Sequence, residues 1–256
     1  MARQKSGKHG CKRGAELAEG DLSDHASLDR VTQGIDVIMS AVLGGPDVIV
    51  DGQVALAEAA KRNSVRRILP SDFGLDLFKA TPGGHPAFNW RAAADEQIAA
   101  MGLERIHMLQ GAFMHMMAPG SPLIDYTTYT AQFWGDGTRP IEITSVDDTA
   151  RMTARVALDR SVESGKFAFC GDRLSFQEAA DLAEKRTGKP FSRRSLGSEA
   201  DLRKALDAAR ASDPQQAVML AYQLYMLNGQ TALENLKSQR YPDIQLQRLR
   251  DFLAQQ

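Results

Sequence analysis

SGKHGCKRG, residues 6–14, places Gly7, Gly10 and Gly14 among lysines, near the spacing of a turn that wraps the pyrophosphate of a dinucleotide. Such a turn needs a strand before it and a helix after it. The strand delivers the chain, and the helix N-terminus offers unpaired N–H groups to the phosphates. Here only MARQK precedes the stretch, too polar for a buried central strand, and the following AELAEGDL reads as a short strand ending in a turn. The three glycines therefore read as a solvated basic loop and not as the pyrophosphate turn.

Outward from that loop, short apolar runs alternate with amphipathic stretches. SDHASLDRVTQG predicts a helix capped by Ser23 or Asp24 and closed by Gly34. IDVIMSAV is a continuous apolar run, the pattern of a strand covered on both faces. DGQVALAEAAKRN predicts a helix with Asp51 at its start and Lys61 and Arg62 in its last turn, where cations suit the helix dipole. VRRILPSDFG is strand then loop, FNWRAAADEQIAAMG a helix, and ERIHMLQG a strand again. Strand and helix in alternation predict parallel βαβ units in an open α/β sheet. After GKFAFCG, capping boxes at Ser175–Glu178 and Ser198–Asp201 open apolar helical patterns, and the remainder reads as almost entirely helical. The expected division is a sheet domain over residues 1–150 and a smaller, helix-rich substrate lobe over 151–256.

Composition narrows the partners. The 256 residues are 43% hydrophobic and 25% charged, ordinary globular usage with room for a sizeable core. A net charge of −1 gives no electrostatic reason to expect nucleic acid or an anionic membrane as partner. Cys11 and Cys170 lie far apart and fit a reduced compartment better than a disulfide framework. No apolar run is long enough to cross a bilayer, and no leader pattern follows the first basic residues. A cytoplasmic protein is expected.

From AELAEGDLSDHASL onward the chain resembles the NmrA-like and isoflavone-reductase-like branch of the atypical short-chain dehydrogenases. EGDLSDHASLDRVTQGIDVIMSAV, GQVALAEAAKRNSVRRILPSDFGLD, GDGTRPIEITSVDDTA and RYPDIQLQRLRDFL carry the resemblance, in order, over nearly the whole chain. It implies a Rossmann-like domain that binds NADP (as NADPH) or NAD, and reduction of a small aromatic or carbonyl substrate. A minority of such proteins keep the cofactor site as a redox-sensing regulator with a protein partner. The resemblance also implies that the first strand, its GxxGxxG turn, the first helix and most of the second strand, about thirty residues, would precede Met1; the alternative is a truncated form with impaired cofactor binding. The expectation is an N-terminally truncated Rossmann-like sheet in which residues 15–22 either move in beside the IDVIMSAV strand or pack loosely.

The same resemblance points to site residues. Arg3 and Lys5 fall where the adenosine 2′-phosphate is contacted, a guanidinium being a bidentate phosphate ligand; the alternative is ordinary solvated charge. Asp21 falls where an acidic residue meets adenine, or is a turn aspartate. Ser40, Ala41, Val42 and Gly44 follow a strand's carboxyl end, the ligand edge of open α/β sheets, where small residues let backbone approach a cofactor. Pro70, Ser71 and Phe73 would line the nicotinamide side, unless they form only a tight turn. Arg91, in AFNWR, stands where the reductases carry a lysine. An arginine stays protonated, so Arg91 either orients substrate and stabilises an oxyanion or is a surface helix residue. Proton transfer would then fall to His85, Asp72 or water. Phe113 and Met114, in GAFMHMM, would form a soft pocket wall, with Gly111 in the place of a frequent asparagine. No zinc motif and no Ser-Tyr-x-x-x-Lys pattern is present, and His9, His25, His85 and His107 show no ligand spacing. Asp147 and Asp148 read as helix-starting caps and charges.

Overall fold

The computed structural model describes residues 15–256 of the chain. The glycine loop 6–14 lies outside these residues. Helix α1 (His25–Thr32) begins at Asp24, whose carboxylate accepts from Ala26 N, and Gly34 turns the chain after it with a φ of +73°. Strand β1 (Val37–Met39) follows. A π-helical turn at Asp47–Gly52 then runs directly into α2 (Gln53–Arg62). The helical path thus starts ahead of Asp51, because Pro46 already holds the helical φ that its ring prefers. Next come β2 (Arg67–Leu69), α3 (Pro86–Ala100), β3 (Glu104–Leu109), β4 (Ala112–Phe113), β5 (Ile124–Asp125), β6 (Thr130–Phe133) and β7 (Ile141–Thr144). The later elements are α4 (Val146–Leu158), β8 (Gly165–Ala168), β9 (Asp172–Leu174), α5 (Phe176–Thr187), β10 (Ser192–Ser195), α6 (Glu199–Ser212), α7 (Pro214–Asn228) and α8 (Leu249–Leu253). Among the described residues no helix is long and apolar enough to cross a membrane.

The main sheet is parallel, in the order β1-β2-β3-β8. Successive residues of β2 point to opposite faces. Ile68 packs with Ala57 of α2 and Ile98 of α3, whereas Leu69 packs with Met152 and Val156 of α4. Helices therefore cover both faces, the layering expected of a parallel sheet. Each fully buried Ile or Leu contributes about 1.5–3 kcal/mol by leaving water. Arg67 is also fully buried, and its guanidinium bonds the carbonyls of Val156, Asp159 and Val162 and the carboxylate of Glu104, all at 2.8 Å. It ties β2 to the carboxyl end of α4.

Several expectations are corrected. Residues 15–20 form no strand and are exposed, the looser of the two expected outcomes. The apolar run around β1 is not covered on both faces: β1 is an edge strand among the described residues, and Met39 is 52% exposed. Ser145, not an aspartate, caps α4 by accepting from Asp148 N. Asp147 and Asp148 do stand in its first turn, and Asp148 is buried, with Oδ2 accepting from Gln247 N at 2.7 Å. Both capping boxes form as expected. The second half is less helical than its pattern suggests, because β10 pairs in parallel with β6 and residues 229–248 carry neither helix nor strand. Gly229, with a φ of +71°, ends α7 in the left-handed conformation that favours glycine.

Candidate active site

The loops at the carboxyl ends of β1 and β2 are laced to each other and to two helices. Ser40 N donates to Leu69 O at 2.9 Å, carrying the β1–β2 pairing one step further. Ser71 then uses all its polar groups inside the protein. Its N–H donates to Gln53 Oε1 at 2.7 Å, its hydroxyl to Val42 O at 2.8 Å, and its carbonyl accepts from Arg91 Nε at 2.8 Å. The hydroxyl proton therefore holds the loop together. Pro70 is buried, and Phe73 packs half-buried against the cluster of Leu69 and Met152. Ala41, Leu43 and Gly44 are exposed, and Ser40 is buried with no hydrogen-bond partner for its hydroxyl.

Arg91 is not a surface residue. It is 8% exposed, with Nη1 donating to Ala87 O at 3.2 Å. Around it stand groups of unusual acidity. Burial first, and the charge of Arg91 second, lower the His85 imidazole to a pKa of about 4, so it is neutral at pH 7. His85 stacks on Phe88 at 4.1 Å and meets the Tyr222 ring edge-on at 4.3 Å. Neither of its buried ring nitrogens has a hydrogen-bond partner. Asp95, one turn after Arg91 on α3, is pushed up to about 7 by burial and by the neighbouring charge of Asp72. Asp72 Oδ2 lies 2.7 Å from His107 Nδ1. Arg91 cannot exchange a proton at neutral pH, whereas a carboxyl with a pKa near 7 can.

Gly111 joins β3 to this region, its N–H donating to Gly74 O at 2.9 Å. Its φ is +76°, and a Cβ would stand 2.1 Å from Glu142 O, so this backbone path requires glycine. Phe113 is half-buried and stacks with His115 at 5.6 Å. Met114 is fully buried in the cluster of Phe88, Ile143 and Leu249, so its side chain fills core and presents no wall to solvent. Asp21 forms the turn ahead of α1, its Oδ1 accepting from Ser23 N at 2.9 Å. Arg3 and Lys5 lie outside the described residues. Gln53 and Asp95 were not legible as site residues. For Asp95 a signal existed: Phe88, Arg91, Ala94, Asp95 and Ile98 form the buried stripe of α3, and two charges on such a stripe are anomalous.

A parallel sheet covered on both faces, with loops converging at the carboxyl ends of its strands, defines a Rossmann-like α/β protein. The sequence matches the model of the NmrA-like family over residues 2–244, and the chain belongs to that family. It is similar to pinoresinol reductase 1 of Arabidopsis thaliana, 26% identical over 260 aligned residues that cover 94% of this chain and 80% of that protein. The isoflavone reductase homolog IRL of Zea mays is 31% identical over 205 residues, covering 74% of this chain and 63% of that protein. Among solved structures, the complex of AtPrR2 with NADP+ and (+)pinoresinol matches with a TM-score of 0.79 at 23% identity, over 94% of this chain and 81% of that one. The leucoanthocyanidin reductase–NADPH complex of Vitis vinifera matches with a TM-score of 0.80 at 20% identity, over 94% and 85% of the two chains. At these identities the solved structures speak for the fold.

Proposed function

We propose that this protein is an NADP(H)-dependent reductase of a small aromatic or carbonyl compound. The observation that carries this reading is the lattice of Ser71 with Val42, Gln53 and Arg91, which rigidifies the carboxyl edge of the parallel sheet where such folds bind dinucleotides. The residues there suit the group. Ser40 has a buried hydroxyl without a partner, and the exposed Ala41 and Gly44 leave backbone past which a cofactor can lie. A relative named as a pinoresinol reductase supports the chemistry. The bound cofactor would supply hydride; the protein binds, orients and manages the proton. In this reading Arg91 fixes the Ser71 loop and offers positive charge to a developing oxyanion, and the proton that Arg91 cannot give comes from water. Phe113 contributes an apolar contact to the substrate, and the part of residues 151–256 that follows β8 supplies the substrate lobe, since α4 and β8 belong to the parallel sheet.

Arg91 in the place of the reductase lysine also favours a second reading, an NADP(H) sensor that binds without turnover and acts through a protein partner. NADPH binding followed by its fluorescence, together with absorbance loss against a panel of aromatic carbonyls and benzylic ethers, separates the two. Binding with turnover supports the reductase, and binding without turnover supports the sensor. Absence of binding defeats both.

A further inference from the structure

Three buried ligand groups converge behind the Ser71 loop from three separate elements. Asp72 comes from the loop after β2, Asp95 from α3 and His107 from β3, and one ligand atom of each lies within 4.8 Å of the others. His107 Nδ1 is 2.7 Å from Asp72 Oδ2 and 3.6 Å from Asp95 Oδ2. The three side chains are 7%, 0% and 8% exposed in the order His107, Asp72, Asp95. Asp72 Oδ1 and both oxygens of Asp95 accept no hydrogen bond, although they are buried. Carboxylate oxygens left bare in a dry interior are costly unless a cation shares them. The nearby guanidiniums bond elsewhere: Arg91 Nε goes to Ser71 O, and Arg105 Nη1 to the backbone carbonyl of Asp95.

We propose that Asp72, Asp95 and His107 form a site for one divalent transition-metal cation of the zinc class. With metal–ligand bonds of about 2.0–2.2 Å, ligand atoms around a tetrahedral ion stand roughly 3.4 Å apart. The His107–Asp72 pair opens by less than about 1 Å to admit the ion, and the widest pair closes by a little more than that. One imidazole nitrogen with two carboxylates suits zinc, manganese or iron better than magnesium or calcium. The ion takes the place of the proton between His107 and Asp72, and His107 keeps its other proton on Nε2. It clamps the β2 loop and α3 onto β3, one residue from the Ser71 carbonyl that holds Arg91. Its role is to position that loop, and it touches no substrate.

The test uses the full chain, stripped of metal by a chelator and titrated with Zn2+ against a competing indicator. One ion binds per chain, and Asp95→Asn and His107→Gln each weaken that binding by at least about 100-fold. His25→Gln, at an exposed histidine of α1, leaves it unchanged. Absence of stoichiometric binding, or equal affinity in the Asp95 and His107 variants, overturns the site. Should those variants fail to fold, the electron paramagnetic resonance spectrum of the Cu2+-loaded wild type decides the matter. Hyperfine structure from a single nitrogen supports the site, and none or several overturns it.

Discussion

Arg91 takes its role from its surroundings. Its guanidinium is buried, and its Nε–H satisfies the Ser71 carbonyl. Arg91→Met would leave that carbonyl without a donor, an expected cost of about 1–3 kcal/mol in urea unfolding. NADPH affinity should fall with it as the β2 loop loosens. His85 makes a different prediction. Its pKa is lowered from 6.5 to about 4 in the folded protein, so below pH 6.5 the unfolded chain takes up a proton that the native state refuses. Stability is fully present above pH 6.5, falls by about 3 kcal/mol as pH drops to 4, and levels off below that. His85→Met, of similar volume, should remove this component, and denaturation at roughly pH 7 and pH 4 measures it. An unchanged slope in the variant would assign the acid sensitivity to other groups.

Among the elements, the two capping boxes were legible because everything they need lies within four consecutive residues. Ser175 accepts from Glu178 N at 3.2 Å, and Glu178 returns a bond to Ser175 N at 2.8 Å. Ser175→Ala and Ser198→Ala should each cost about 1 kcal/mol. Amide exchange should reveal a difference between them. Ala179 and Ala183 of α5 sit in the main core with Leu249 and Leu253 of α8, so fraying at Ser175 opens α8 as well. α6 shares its cluster chiefly with α7, and fraying at Ser198 should stay within that pair. Exchange confined to α5 after the Ser175 change would contradict the coupling. Strands were less evenly legible than caps. The runs at β2 and β3 declared themselves, whereas AELAEGDL has strand-like character but pairs with no strand among the described residues. A strand exists only when another strand supplies its hydrogen bonds, so local pattern is necessary and insufficient.

Taken as a whole, the molecule is cross-linked by buried polar groups that link distant parts of the chain. Arg67 is the clearest, reaching carbonyls 89 to 95 residues away. Arg67→Met keeps the volume but leaves those carbonyls dry, and an expected loss of about 3–5 kcal/mol is a large share of a typical domain's stability. Urea unfolding checks it, and a change under about 1 kcal/mol would mean that water replaces the guanidinium. This tie also joins β2 to the start of the second half, where β8 completes the parallel sheet beside β3.

The alternation of apolar runs and the helix caps were enough to specify an open α/β chain. Those features are set by periodicity along single elements, which any stretch of sequence displays locally. The convergence of Asp72, Asp95 and His107 was not legible, nor was the burial of Arg67, Arg91 and His85. His107 lies 35 residues from Asp72, and their contact depends on strand register and on how α3 crosses the sheet. Such contacts are fixed by packing between elements, and packing is a property of the folded whole.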